Sequence, residues 1–293
     1  TILYYEVFEY PLRSEELYAH QGLGISEDAF HQMLEDMVDK KLLSKKEGFY
    51  FSPFARHENI VRRKKGNVNA LEMMPTAIKW GKRIFRFPFV RSVSLSGSLS
   101  KNYFDEHSDI DFFVVTKSGR LWICRTLLIL YWKSLSLKNK KYFCTNYFID
   151  ETVLEMEEKN HFTATELSYL VPLINAAGFN NLMTHNTWVK SYINNRAPVL
   201  SYTINVQPGI VKKAIEALLQ NPIGDMLDNF LLKKTIERWR RKYPELAAED
   251  FELQFRSRKN VCKRHTKGFQ NKVLQQLETL RADYETRTGV KLS

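Results

Sequence analysis

Cysteine is scarce: three occur in 293 residues, Cys124, Cys144 and Cys262, far apart and odd in number. They offer neither a disulfide framework nor the paired spacing of a zinc site, and a reducing cytoplasm fits them best. Long apolar runs are missing as well. The most apolar stretch, LWICRTLLILYW, is too short to span a bilayer and carries Arg125, so no membrane span is expected and the stretch reads as a buried helix. TILYYEVFEYPLRSEE at the start brings acids early and no basic lead, and no signal peptide is expected. Acids are in deficit, 33 against 44 Lys and Arg; the resulting charge of +11 favours polyanionic partners such as nucleotides, nucleic acid or acidic lipid. Repeats and low-complexity tracts are lacking too. What is present, 44% hydrophobic residues over this length, suffices for substantial cores and two or three domains.

The chemistry concentrates in residues 93–115, VSLSGSLSKNYFDEHSDIDFFVV. An apolar strand from Val93 to Leu95 enters a Ser96-Gly97-Ser98 turn, and a second strand carries Asp109 and Asp111 before ending apolar. Strand side chains alternate, so the two acids share one face while Ile110 and Phe112 take the other. Paired carboxylates on a rigid face repel unless a cation lies between them, as in magnesium sites on nucleotide phosphates. Gly97 lets backbone approach a ligand, and Ser98 is expected at a helix start, where free N–H groups and a hydroxyl favour an anion.

Gly-Ser followed about ten residues later by Asp-x-Asp resembles the signature of the nucleotidyltransferase superfamily that includes DNA polymerase beta. The wider text, with its PFVRSVSLSGS, SDIDFFVVT and CTNYFIDE runs, resembles a group of bacterial nucleotidyltransferase-domain proteins with an N-terminal winged helix, over about residues 1–195. The resemblance implies an α+β fold with a polymerase-beta-like mixed sheet. It also implies nucleotide binding at Ser96, Gly97, Ser98 and Ser108, and Mg2+, two ions if active, on catalytic Asp109 and Asp111.

The superfamily's third strand usually supplies another acid. Here KNKKYFCTNYFID alternates as that strand, with Tyr142, Cys144, Asn146 and Phe148 on one face and Phe143, Thr145, Tyr147 and Ile149 on the other. The third-strand position falls on Asn146, which brings an amide and no charge. Asp150 shares its parity but lies about 13 Å along the strand, and reads as a cap of the following segment.

Elsewhere, Ser14 and Ser26 open short helices, the second with Phe30, Met33, Leu34 and Met37 at helical spacing, and a wing-like hairpin follows at 44–53. Glu27, Asp28, Glu35, Asp36 and Asp39 make this helix acidic, so sequence-specific DNA is not an expected partner. Residues 1–56 therefore read as winged-helix-like, 57–87 as a basic helical connector, 88–197 as the nucleotidyltransferase domain with following helices, and 198–293 as a C-terminal helical basic region. Residues 256–272, holding Arg256, Arg258, Lys259, Lys263, Arg264, His265, Lys267 and Lys272, read as a basic loop, either neutralising an anionic ligand or simply solvated. His161 and His185 read as structural rather than catalytic.

The expected activity is Mg2+-dependent transfer of a nucleoside monophosphate from a nucleoside triphosphate to a hydroxyl on a small molecule, protein or RNA end, releasing pyrophosphate. The alternative is a catalytically impaired nucleotide-binding or scaffold protein that retains the fold.

Overall fold

Short elements with few apolar residues each fill the first 51 positions: α1 (Ile2–Glu6), β1 (Leu12–Arg13), α2 (Ser14–His20), α3 (Glu27–Asp39), β2 (Ser44–Lys46) and β3 (Phe49–Phe51). The computed structural model describes residues 1–22, 24–264 and 268–292, with the side chain at 138 outside the description. Ser26 caps α3 by accepting from the Ala29 N–H at 3.3 Å, and α3 turns Phe30 and Leu34 inward. β1, β3 and β2 pair antiparallel in that order. The acids Glu27, Asp28, Asp36 and Asp39 stay exposed.

The connector is one helix, α4 (Glu58–Phe85), rather than a pair. Pro75 removes one backbone donor, yet Met74, Ala77, Trp80 and Ile84 are buried on either side of it and hold the helix together. Its first basic residues are paired: Arg62 with Glu9, Arg63 with Glu16 at 2.7 Å, Lys64 with Glu47. These contacts bind the connector to the N-terminal elements.

The remaining chain runs β4 (Val90–Ser96), α5 (Gly97–Ser100), β5 (Asp111–Thr116), α6 (Leu121–Ser134), α7 (Leu137–Lys140), β6 (Cys144–Asp150), α8 (His161–Ser168), β7 (Val171–Ile174) and α9 (Ala177–His185). It ends with α10 (Ile210–Leu219), α11 (Pro222–Lys242), α12 (Ala248–Phe255), β8 (Ser257–Arg258), β9 (Val261–Lys263) and α13 (Phe269–Thr288). Six strands form a mixed sheet in the order β7-β4-β5-β6-β9-β8, with β5 and β6 parallel and the other pairs antiparallel. This is an α+β fold with a mixed sheet. One sheet face, with Val93, Leu95, Phe112, Val114 and Phe148, packs under α4, α6 and the C-terminal helices. The other, with Phe113, Val115 and Ile149, packs under α8 and α9.

The C-terminal part is mostly helical but also adds the β8–β9 hairpin to the sheet edge beside β6. α13 returns to the chain start: Val273 joins the core of α1–α3, and the Tyr284 hydroxyl donates to the Leu42 carbonyl at 2.8 Å. No helix among the described residues is long and apolar enough to cross a membrane.

Candidate active site

β4 and β5 lie side by side at the sheet centre, and the turn that leaves β4 faces the start of β5: Ser96 pairs with Asp111. Gly97 adopts φ +70°, and a Cβ there would lie 2.3 Å from Asp111 Oδ2. Both the left-handed backbone and the close approach require glycine. The helical start expected at Ser98 is a single turn, Gly97–Ser100. An anion there would meet a few free N–H groups rather than a helix dipole.

The paired strand begins at Asp111, and Asp109 precedes it on exposed chain. The expectation that both acids lie within one strand is corrected to that extent, because the ladder with β6 starts at Asp111 opposite Cys144. Extended backbone continues upstream, with the Ile110 N–H donating to the Lys141 carbonyl and the Cys144 N–H to the Ile110 carbonyl. Alternate spacing therefore still gathers the acids. Asp109, Asp111 and Cys144 each bring a ligand atom within 4.8 Å of the other two.

The third strand departs from simple alternation. Phe112 faces Thr145 and Phe113 faces Tyr147, so Asn146 is the unpaired residue of a register shift. Such a bulge re-aims side chains. Cys144 and Asn146 turn to Asp111, whereas Tyr147 stacks on Phe113 at 5.0 Å and Phe148 enters the opposite core. The expected grouping of Phe148 with Cys144 and Asn146 therefore fails beyond the bulge. Asn146 Nδ2 donates to Asp111 Oδ1 at 2.6 Å, and the Cys144 thiol donates to Asn146 Oδ1 at 3.2 Å. Asp150 lies at the far end of β6, where it accepts from the Thr152 N–H at 2.9 Å and the Gly119 N–H at 3.3 Å, a cap as expected.

Burial and then the neighbouring Asp109 carboxylate push Asp111 up to about 7. Burial and the two carboxylates also push the Cys144 thiol upward. A cation between them would relieve this repulsion, and the donors present, two carboxylates and a sulfur, fit a divalent ion.

Ser96, Gly97, Ser98, Ser108, Asp111 and Asn146 line one cavity of about 610 Å3, and Asp109 lies outside its lining. Ser108 braces the preceding loop, donating to Asp105 Oδ1 at 2.8 Å. The inner wall is aromatic, with Tyr4, Phe8 and Tyr10 from the chain start, Phe162 from α8 and Phe269 from α13. Sequence reasoning left three groups at the site without a role. Lys101, four residues beyond Gly97, donates to the Gly97 carbonyl at 3.1 Å and pairs with Glu166 at 2.8 Å. Cys144 shared parity with Asn146, the signal by which it was findable. The aromatic wall is assembled from distant segments and had no local signal.

Neither His161 nor His185 lines the cavity. Three basic residues of the 256–272 segment are drawn into ion pairs: Arg256 with Glu158 at 2.9 Å, Arg258 with Glu252 at 2.8 Å, Lys263 with Glu158 at 3.1 Å. His265 and Lys267 lie outside the described residues.

A Gly-Ser turn is thus opposed to two acids within a mixed sheet. Residues 78–191 match the family model described as a nucleotidyltransferase domain. Neither a curated protein nor a solved structure matches the chain.

Proposed function

We propose that this cytoplasmic protein is a Mg2+-dependent nucleotidyltransferase that moves a nucleoside monophosphate from a nucleoside triphosphate to a hydroxyl acceptor. The observation that carries the reading is the one cavity shared by the Ser96–Ser98 turn, Lys101 and Asp111, with Asp109 beside it. In this reading the turn's N–H groups and hydroxyls hold the triphosphate, and Lys101 braces the turn by donating to the Gly97 carbonyl. Asp109 and Asp111 hold the divalent ion, which when bound neutralises phosphate charge and acidifies the acceptor hydroxyl. Asn146 orients Asp111 through its amide. The aromatic wall suits a ring, base or acceptor, because the cations at its rim are already paired with Glu9, Glu158 and Glu166. Residues 1–56 serve as a winged-helix-like module for packing rather than for DNA, and they close the cavity.

One observation favours the second reading, a nucleotide-binding protein with impaired turnover: an amide rather than a carboxylate sits against Asp111. Calorimetry with nucleoside triphosphates, with and without Mg2+, and transfer of radiolabelled nucleotide to a cell extract separate the two. Metal-dependent binding with label transfer is expected. Binding without transfer, with or without Mg2+, moves the assignment to the second reading, and no triphosphate binding at all rejects both.

A further inference from the structure

The side chain that opposes Asp111 across the parallel ladder is not the amide but Cys144. Asn146 turns its NH2 group, not its oxygen, toward Asp111, and its oxygen is engaged by the Cys144 thiol. The amide therefore faces the carboxylates as a donor, leaving sulfur as the third Lewis base of the cluster. Sγ and one oxygen from each carboxylate lie within 4.8 Å of one another. Around a zinc-sized ion with bonds of roughly 2.0 to 2.3 Å, tetrahedral ligand atoms stand roughly 3.3 to 3.8 Å apart, within reach of a small side-chain rotation. Cys124 and Cys262 are fully buried in the core on the other side of the sheet, so Cys144 is the partly exposed thiol.

We infer that Cys144 Sγ is the third protein ligand of the cation held by Asp109 and Asp111, and that the site binds thiophilic divalent ions such as Zn2+ and Cd2+ more tightly than Mg2+. The inference rests on the proposed role of the two aspartates as cation ligands. Hard Mg2+ prefers oxygen, whereas thiolate selects softer ions. On coordination the S–H bond breaks, an S–metal bond forms and the proton passes to buffer, with no change of oxidation state. Mg2+ in excess still occupies the carboxylates; the soft ion displaces it at far lower concentration.

The test is titration of the full chain with Cd2+, read by the sulfur-to-cadmium charge-transfer absorption, alongside Mg2+ titration by calorimetry and circular dichroism to check folding. Wild type is expected to show the band at one equivalent and to bind Cd2+ at least about 100-fold more tightly than Mg2+. Cys144→Ser loses the band and most of that preference, and Cys144→Asp, with three carboxylates, shifts the preference back toward Mg2+. A band that persists in Cys144→Ser, or that is unchanged in Asp109→Asn/Asp111→Asn, overturns the inference by showing sulfur binding apart from the carboxylates. If wild type lacks the band yet binds triphosphate in a Mg2+-dependent way, the inference fails while the aspartate site stands. If neither signal appears, both fall together.

Discussion

Asp111 concentrates the site's constraints in one side chain. Its carboxylate receives the Asn146 amide, crowds Gly97 and repels Asp109, so it tolerates no change of charge or position. Asp111→Asn keeps the shape and removes the charge; if charge at the metal dominates, transfer should fall by upwards of ~4 kcal/mol in barrier, about a thousandfold. Asp109→Asn is expected to behave alike although it is exposed, and near-normal turnover in either variant would remove that residue from the mechanism. Gly97→Ala asks a different question. A methyl group would meet Asp111 Oδ2 at 2.3 Å while the backbone sits at φ +70°, so strain of roughly 1–2 kcal/mol adds to a displaced carboxylate. Loss of Mg2+-dependent triphosphate binding with cooperative unfolding retained is the expected outcome; unaltered binding would show that the turn and the acid are not coupled.

Elements in this fold are finished by residues from other elements. The N-terminus of α6 has no cap of its own, and Asp228 of α11 supplies one: its Oδ1 accepts the Ile123 N–H at 2.8 Å. Burial pushes Asp228 up to about 6, against the pull of the Ile123 and Trp122 N–H groups. Because the folded state holds this proton more tightly than the unfolded one, the group's stabilising contribution is full below about 4 and disappears as pH rises through 6. Asn keeps an acceptor and cannot ionise. Asp228→Asn should therefore gain on wild type by up to about 3 kcal/mol between pH 3.5 and 7.5, measured by urea unfolding; a difference independent of pH would mean the carboxyl is ordinary. Interlocking of this kind also decides which elements were legible. Serine caps and the apolar stripe announced α3, and hydrophobic runs around Gly-Ser and Asp-Ile-Asp announced β4 and β5. The bulge at Asn146 was hidden because unbroken alternation is the default for a strand, and it overturned the face of Phe148. β8 and β9, two and three residues long, carry too few side chains for any period to show. Their basic residues read as a loop because the partners, Glu157, Glu158 and Glu252, are supplied partly from about a hundred positions away.

At the scale of the whole molecule, the start and the end of the chain wall the same cavity as the six-stranded sheet. Local signals could locate the acids but not this closure, which depends on how segments far apart in sequence dock. Its polar fastening is a buried triad: His20 Nε2, at the end of α2, meets the hydroxyls of Tyr5 in α1 at 2.9 Å and of Tyr169, beyond α8, at 3.0 Å. Burial, and then the nearby His161, drive the His20 imidazole down to about 3. The unfolded chain takes up this proton below about 6.5 and the folded chain does not until about 3, so stability from His20 is full above 6.5 and is lost as pH falls through that window. Each pH unit removes about 1.4 kcal/mol, or roughly 2 kcal/mol between pH 7.5 and 5. Asp111 and Asp228 shift stability in the opposite sense over part of this range, so the wild-type profile alone can look flat. Comparison with His20→Gln isolates the term, since glutamine offers hydrogen bonds without a titrating proton. Wild type should lose about 2 kcal/mol relative to the variant on acidification to pH 5, with triphosphate affinity falling in parallel if the N-terminal helices close the cavity. Equal acid sensitivity in the two proteins would show that the triad does not hold the module in place. Loss of stability without loss of affinity would show that the N-terminal wall is structural only.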